Sequence, residues 1–429
     1  MPPKRSAPVD STADTADTGS SSSVKRSKRA EATASVKAVE AASTASTNEG
    51  WKMFNEVLTF TPPGGIKGNS RVYGFDIDDT IITPKSGKTF AQNAADWIFW
   101  NPVVPQKLLE FHQKGYKIVF FSNQGGIGTG KTDPADFKKK LNAVMAAIPG
   151  VPVQIYASTQ NGKYRKPATG MWGMFAKGGN AGVEPDLKLS AYIGDAAGRA
   201  KGWKAGCKKD FSDSDRKFAI NLGVQFLTPD EFFLGEKPVA FTLEGADPKV
   251  WAKDGPLYEP ATAKLIAPTQ ELVIMVGYPG SGKSFFSVKE LEGRGKYLRV
   301  NRDTLKTKEK CLKVAEEGLS TGSSVVIDNT NPDAETRGEY IALARKYKVP
   351  ARAFVMQTSF DEAMHNNQFR EIVSNGQHEH VPTMVYHMYK KKYVEPTTTE
   401  GFSEIVKTHF RPKFDDPATE KLFFMWTPL

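Results

Sequence analysis

The sequence predicts an α/β protein in which a doubly wound parallel sheet is followed by a second α/β domain of the phosphate-loop type, behind a polar tail. Three observations carry that expectation. Short apolar runs alternate with amphipathic helical segments from residue 72 onward and again from residue 271 onward. Each series opens on an apolar run that passes straight into a special turn: residues 72–80 read V-Y-G-F-D-I-D-D-T, and residues 271–284 read E-L-V-I-M-V-G-Y-P-G-S-G-K-S. Residues 1–48 contain no Ile, Leu, Phe, Tyr or Trp. The organisation that follows is a tail (1–48), a first domain (49–236), a connection (237–270) and a second domain (271–429).

The tail is dominated by Ser, Thr, Ala and charged residues. It cannot bury enough apolar surface to offset its ordering entropy, so it is expected to be disordered. No apolar core follows its basic residues, which excludes a secretory signal. Lys4-Arg5 and Lys25-Arg26-Ser27-Lys28-Arg29 resemble a nuclear-localisation signal. The alternative is a solvated basic arm that touches nucleic acid without sequence preference. Nuclear localisation is the expectation.

Length and composition fit two or three soluble domains: 429 residues, 25% of them charged. No apolar run is long enough to span a bilayer, so no membrane partner is expected. The formal net charge of +10 suits a polyanionic partner. The two cysteines, Cys207 and Cys311, are far apart and suggest neither a disulfide framework nor a zinc site.

In the first domain the run at 72–75 reads as a buried parallel strand. Residues 105–114 read as a helix ended by Gly115. Residues 117–122 (K-I-V-F-F-S) form a second strand. Residues 134–148 form a periodic helix, with Phe137, Leu141, Val144, Met145 and Ile148 on one face. Residues 153–157 and 191–194 are the third and fourth strands. Open parallel sheets place ligands beyond the carboxyl ends of their strands. Those ends carry Asp76 with Asp78, then Ser122, then Asp195, and Lys166 lies in the Y-R-K-P loop after the third strand. That set suits phosphoryl transfer. A carboxylate nucleophile divides the reaction into two steps, and a hydroxyl and an ammonium neutralise phosphate oxygens.

The D-x-D-x-T pattern after a strand resembles the first motif of haloacid-dehalogenase-type phosphatases. With residues 164–172 (Y-R-K-P-A-T-G-M-W), 194–199 (G-D-A-A-G-R) and 210–223, the chain closely resembles the polynucleotide kinase 3′-phosphatase family over nearly all of residues 50–429. The resemblance implies a haloacid-dehalogenase-like domain followed by a P-loop kinase domain. It makes Asp76 the nucleophile and Asp78 the acid and base, a role typically worth about 10²- to 10⁴-fold. Mg²⁺, which prefers oxygen ligands, is expected on Asp76 and Asp195, with Asp78 counted among its ligands. Two departures stand out. Asp79 occupies a position where relatives commonly have Gly. Arg199 stands where many broader phosphatases keep a second acid, and Asp213 and Asp215 are the candidates to replace it.

The connection is rich in Pro and Gly and reads as a linker with some packed structure, since Phe241 and Trp251 argue against a floppy tether.

In the second domain Gly277-Tyr278-Pro279-Gly280-Ser281-Gly282-Lys283-Ser284 is G-x-x-x-x-G-K-S between a strand and a helix, the context of a P-loop. Its amides and the helix N-terminus face phosphates, Lys283 reaches the β- and γ-phosphates, and Ser284 ligates Mg²⁺. ATP is the expected donor. Asp303 follows the next strand, and the resemblance makes it the base for a 5′-hydroxyl. Asp328 ends a further strand as a Walker-B acid or a substrate-side group. Arg370, in the segment H-N-N-Q-F-R-E, is the expected phosphate clamp. Gln368 replaces a basic residue found in some relatives. Lys201, Lys204, Lys208 and Lys209, and Lys390-Lys391-Lys392 with Tyr386, Tyr389 and Tyr393 between them, are candidate DNA contacts through backbone charge and base stacking; solvated faces are the alternative.

The resemblance thus implies removal of 3′-phosphates and phosphorylation of 5′-hydroxyls on DNA ends. Animal relatives often carry a forkhead-associated domain. The tail cannot encode one, so repair partners are not expected to dock that way. A metabolite phosphatase/kinase fusion, a catalytically dead end-binding scaffold and RNA-end repair are the alternatives.

Overall fold

A computed structural model describes residues 49–251, 254–374, 377–378, 380–427. The two basic clusters of the tail lie outside the described residues. No helix among the described residues is long and apolar enough to cross a membrane.

The first sheet has seven strands: β1 (Trp51–Phe54), β2 (Val57–Phe60), β3 (Val72–Phe75), β4 (Lys117–Asn123), β5 (Gln154–Ser158), β6 (Ala191–Ile193) and β7 (Gln225–Leu227), in the order β1-β2-β5-β4-β3-β6-β7. The chain moves from β3 outward through β4 to β5, then returns to lay β6 and β7 on the other side of β3. The switch point is therefore β3, and a ligand site belongs beyond its carboxyl end. Pairings among β5, β4, β3, β6 and β7 are parallel, as expected, but β1 and β2 form an antiparallel hairpin on the β5 edge. The wholly parallel expectation is corrected there. The hairpin turns at Asn55, whose φ of 52° is one an asparagine tolerates.

Alternate residues of these strands enter two cores. Phe75, Ile118, Phe120 and Ile155 face α1 (Val104–Gln113) and α2 (Pro134–Ala146), which supply Leu108, Phe137 and Leu141. Val72, Val119, Phe121 and Tyr156 face Trp172, Phe175 and the Phe218 of α3 (Ser214–Leu222). Asp133 caps α2 by accepting from the Ala135 amide, a contact typically worth about 1 kcal/mol.

The second sheet has six strands: β8 (Tyr258–Glu259), β9 (Leu272–Val276), β10 (Leu298–Val300), β11 (Val325–Ile327), β12 (Ala351–Met356) and β13 (Glu404–Thr408), in the order β8-β13-β12-β9-β11-β10. Every residue of β9 is buried, because helices cover both faces of a parallel sheet. On one face lie Cys311, Ala315 and Leu319 of α4 (Lys308–Ser320) and Tyr340 and Ile341 of α5 (Ala334–Lys346); on the other lie Phe286 and Leu291 behind the P-loop. Three further helices matter below: α6 (Phe360–Val373), α7 (Thr383–Lys392) and α8 (Pro417–Phe423).

The connection is divided between the two sheets. The amide of Thr242 donates to Gly198 O and that of Glu244 to Asp213, on the first domain. β8 pairs with β13 at the edge of the second sheet. Phe241 packs under the Arg216 guanidinium, and Trp251 meets His365 edge-on, as their aromatic character led one to expect.

Candidate active sites

Beyond the carboxyl ends of β3, β4 and β6 lies a cleft of about 370 Å³ lined by Asp76, Asp78, Ser122, Lys166, Asp195 and Asp215, among others. Lys166 is its hub. Its Nζ donates to Asp76 Oδ1 (2.5 Å), Asp215 Oδ1 (2.7 Å) and the Tyr192 hydroxyl (2.8 Å), and the side chain is buried. Tyr192 in turn donates to Phe121 O (2.9 Å). The lysine's main chain is bracketed by Asn123, whose Oδ1 accepts from the Lys166 amide (2.8 Å) and whose Nδ2 donates to Lys166 O (3.1 Å). Thr80 donates to Asp195 Oδ1 (3.3 Å) and accepts from the Asp195 amide (3.1 Å), which locks the acidic turns of β3 and β6 together.

Asp76, Asp195 and Asp215 each present an oxygen within 4.8 Å of the others. Burial pushes the carboxyls of Asp76 and Asp195 up, and neighbouring carboxylates push them further; Lys166 opposes this without prevailing. The same ammonium is held up by Asp215 and Asp76 against its own burial. When all three are ionised, the buried carboxylates of Asp76 and Asp215 and the half-buried one of Asp195 outnumber the one cation and leave a negative excess. That is the donor set and charge a divalent cation with oxygen preference would take.

The structure decides between the two acids that the sequence left open. Asp215, in the first turn of α3, reaches the cluster; its Oδ2 also accepts from the Ala196 amide (3.1 Å). Asp213 instead pairs with Lys217 (2.9 Å). That i,i+4 spacing was the available signal that Asp213 is occupied elsewhere. Arg199 is not a site residue: it is buried in ion pairs with Asp210 and Asp230. Gly194 allows the close approach, since a Cβ there would lie 2.3 Å from Asp215 Oδ2.

The carboxylate of Asp78, expected among the metal ligands, stands apart from the trio of Asp76, Asp195 and Asp215. It accepts from Gln124 Nε2 (2.7 Å) and lies 3.5 Å from Lys140 Nζ. Asp78 thus stands exposed at the lining of the cleft. Gln124 also donates to Ser122 Oγ (3.0 Å). The departure at Asp79 has a conformational reason: its φ is 53°, a region that glycine enters freely and aspartate tolerates. Its carboxylate accepts from Thr83 (2.8 Å).

The second cleft, of about 360 Å³, is lined by the P-loop residues Gly280, Gly282, Lys283 and Ser284, by Arg370 of α6, and by Phe410, Phe414 and Phe423. Gly280 and Gly282 have φ of 73° and 94°, so the loop needs glycine at both. A Cβ on Gly280 would also meet Ala363 O at 2.5 Å. Lys283 is buried and donates only to oxygens of its own loop: Gly277 O (3.0 Å), Tyr278 O (2.5 Å) and Ser281 Oγ (3.4 Å). With no carboxylate paired to it, burial lowers its pKa to about 8. Arg370 Nε is buried without a hydrogen-bond partner, as is Asp328 Oδ1. The other oxygen of Asp328 is taken by Arg299 (2.6 and 2.9 Å) and Asn301 (3.2 Å). Asp303 is exposed in the turn after β10, near enough to raise the Lys283 pKa. A buried lysine and a half-buried arginine facing one cleft without carboxylate partners fit a polyphosphate, and Ser284 at the start of the helix fits its accompanying cation.

Two expectations about DNA contacts change. Tyr386 and Tyr389 are buried and pack with Tyr278 of the P-loop (6.3 and 4.4 Å between ring centroids), so they cannot stack on bases. Tyr393 is exposed, at 38%, and stacks on Tyr389. Lys204 is paired with Asp230 and Glu236, and Lys209 with Glu244. Lys201, Lys208 and Lys390–Lys392 are exposed. Gln368 is buried in α6.

Residues 71–233 match the family described as polynucleotide kinase 3 phosphatase, and residues 272–396 match the AAA domain family. The bifunctional polynucleotide phosphatase/kinase of Schizosaccharomyces pombe is 38% identical over 348 residues, spanning 81% of this chain and 82% of that protein. The polynucleotide 3′-phosphatase of Saccharomyces cerevisiae is 31% identical over 236 residues, spanning 42% of this chain and 96% of that protein.

Proposed function

The chain belongs to the bifunctional polynucleotide phosphatase/kinase family, and on that premise we propose that its two clefts act in turn on broken DNA strands, the first removing a 3′-phosphate and the second phosphorylating a 5′-hydroxyl with ATP. The observation that carries the reading is the opposite charge balance of the clefts: a negative cluster around Asp76 in one, and Lys283 and Arg370 without carboxylate partners in the other.

In the first cleft Lys166 holds Asp76 Oδ1, so Oδ2 is the oxygen presented to phosphorus. Asp76 displaces the 3′-oxygen and becomes esterified, while Asp78, at the cleft mouth, gives the leaving oxygen its proton. Asp78 then takes a proton from water as that water attacks the aspartyl-phosphate, which frees inorganic phosphate and restores Asp76. The Ser122 hydroxyl and the Lys166 ammonium neutralise phosphate oxygens throughout. Asp76, Asp195 and Asp215 would hold Mg²⁺, which when bound offsets the repulsion between a carboxylate nucleophile and a phosphate dianion.

In the second cleft the loop amides and Lys283 hold the ATP phosphates, Ser284 serves Mg²⁺, and Arg370 meets the charge that develops on the transferred group. Asp303 accepts the 5′-hydroxyl proton. Together the two reactions leave a 3′-hydroxyl and a 5′-phosphate, the termini that strand joining requires. The basic tail clusters support action in the nucleus, and the net charge of +10 supports DNA as the partner.

The test is one nicked duplex bearing a 3′-phosphate and a 5′-hydroxyl, incubated with Mg²⁺ and γ-labelled ATP. Inorganic phosphate release and 5′ label are both expected. Hydrolysis of sugar phosphates in preference to the duplex would sink the reading, and preference for the matching RNA would move it to RNA ends.

A further inference from the structure

The loop that carries Lys166 is tied to a distant part of the chain. The carbonyl of Pro167, the next residue, accepts from Asn221 Nδ2 (2.8 Å). Asn221 stands in the last turn of α3, the helix whose first turn bears Asp215. The rest of its amide is engaged by Trp426: Nδ2 also donates to Trp426 O (2.9 Å), and Oδ1 accepts from the Trp426 amide (2.9 Å), across 205 positions of sequence. The Trp426 ring is buried under Lys217 Nζ, 4.4 Å from its centroid. Thr169, in the same loop as Lys166, contacts Met425 Sδ at 4.0 Å.

The other side of this segment is anchored in the kinase half. His365 of α6 donates from Nε2 to Phe423 O (2.7 Å), and its Nδ1 accepts from Thr427 (3.3 Å). Burial lowers the His365 pKa to about 4, so the neutral ring offers the one donor and one acceptor these bonds need. Phe423 and Arg370, the latter on α6, both line the second cleft. Residues 423–427 therefore run from the wall of the ATP cleft to the catalytic loop of the phosphatase.

We infer that Asn221 is a positioning residue: with residues 423–427 it forms a latch that holds the Lys166 loop, so that phosphatase turnover depends on a segment anchored in the kinase half. Asn123 fixes the peptide of Lys166 from one side and Asn221 fixes the next carbonyl from the other. Opening the latch leaves Lys166 in place to bind phosphate but less well aimed at its charge, and misplacement of about 1 Å can cost up to about 10²-fold. The inference rests on the phosphatase reading of the first cleft.

The test uses the full chain with Asn221→Leu and Trp426→Pro, the second removing the N–H that Asn221 accepts; Trp426→Ala keeps that N–H. Phosphatase kcat is expected to fall about tenfold in Asn221→Leu, with KM for a 3′-phosphorylated oligonucleotide and kinase kcat both within about twofold of wild type. Trp426→Pro should fall further than Trp426→Ala, and the double variant Asn221→Leu/Trp426→Pro should be no worse than its more impaired parent, because both break one latch. Amide hydrogen exchange over residues 163–170 should quicken in Asn221→Leu. Unchanged kcat and unchanged exchange would overturn the latch, and so would additive losses or equal loss of both activities with a lowered Tm. Faster exchange in a protein whose wild type releases no phosphate would instead sink the phosphatase reading and leave the latch standing.

Discussion

The two clefts handle the same chemical group with opposite charge arrangements. In the first, the buried ammonium of Lys166 is already paired with two carboxylates, and the surplus charge is negative. In the second, Lys283 rests on loop carbonyls and Arg370 Nε has no partner, so the surplus is positive. The difference follows from what each must do. A carboxylate that attacks a phosphate needs a cation between the two anions. A loop that holds a triphosphate needs its own cations unspent until the nucleotide arrives.

The strongest way to break this comparison is Asp76→Asn. Removal of the nucleophile should lower phosphate release by at least ~10⁴-fold, while 5′ labelling of the same oligonucleotide stays near wild type. Loss of both activities would show that the clefts are not independent in the way their charges suggest. Asp303→Asn should reduce 5′ phosphorylation by about 10²- to 10⁴-fold, with ATP affinity, measured by calorimetry, hardly changed; a parallel fall in binding would make Asp303 a nucleotide ligand rather than a base. Lys283→Ala should cost the kinase about 10²- to 10³-fold and leave phosphate release intact.

Proton linkage sharpens the contrast with smaller effects. Burial, with the nearby carboxylates of Asp215 and Asp78, raises the Asp76 carboxyl to about 7. A divalent cation favours its ionised form, so Mg²⁺ binding should release protons and strengthen as pH rises through that value. Lys283 is lowered to about 8. Phosphates favour the ammonium, so nucleotide binding should take up protons and weaken as pH rises through that value. Titration calorimetry in two buffers of different ionisation enthalpy reads both signs, and equal signs would contradict the charge assignment. Smallest is the salt response. Oligonucleotide affinity should fall with added salt, but neutralising Lys204 or Lys209 should barely alter the slope, because each is already paired on its own surface.

Much of this was legible in the sequence where the signal was local. The strand before Asp76 and the strand before Gly277 are apolar runs with turn chemistry directly after them, and both lie where the alternation placed them. Asp76, Ser122, Lys166 and Asp195 do meet in one cleft. The misses came from groups whose partners are remote. The hairpin of β1 and β2 was overlooked because two four-residue strands carry little periodicity of their own. Tyr386 and Tyr389 look like a stacking platform between lysines, yet their rings fill the space behind Tyr278. The carboxylate of Asp78 parts from that of Asp76 because strand geometry sends residues two apart the same way only while the strand lasts, and β3 ends at Phe75.

The sequence by itself determined the two α/β sheets, the strand ends that carry chemistry and the phosphate loop, because each is written in consecutive residues whose period and turn types have a local physical meaning. Only the tertiary structure decided that Asp215 and not Asp213 completes the acidic cluster, that Arg199 is structural, and that Asn221 ties the Lys166 loop to Trp426. Those outcomes depend on which segments the sheet topology brings together, and on which polar groups find partners once water is excluded.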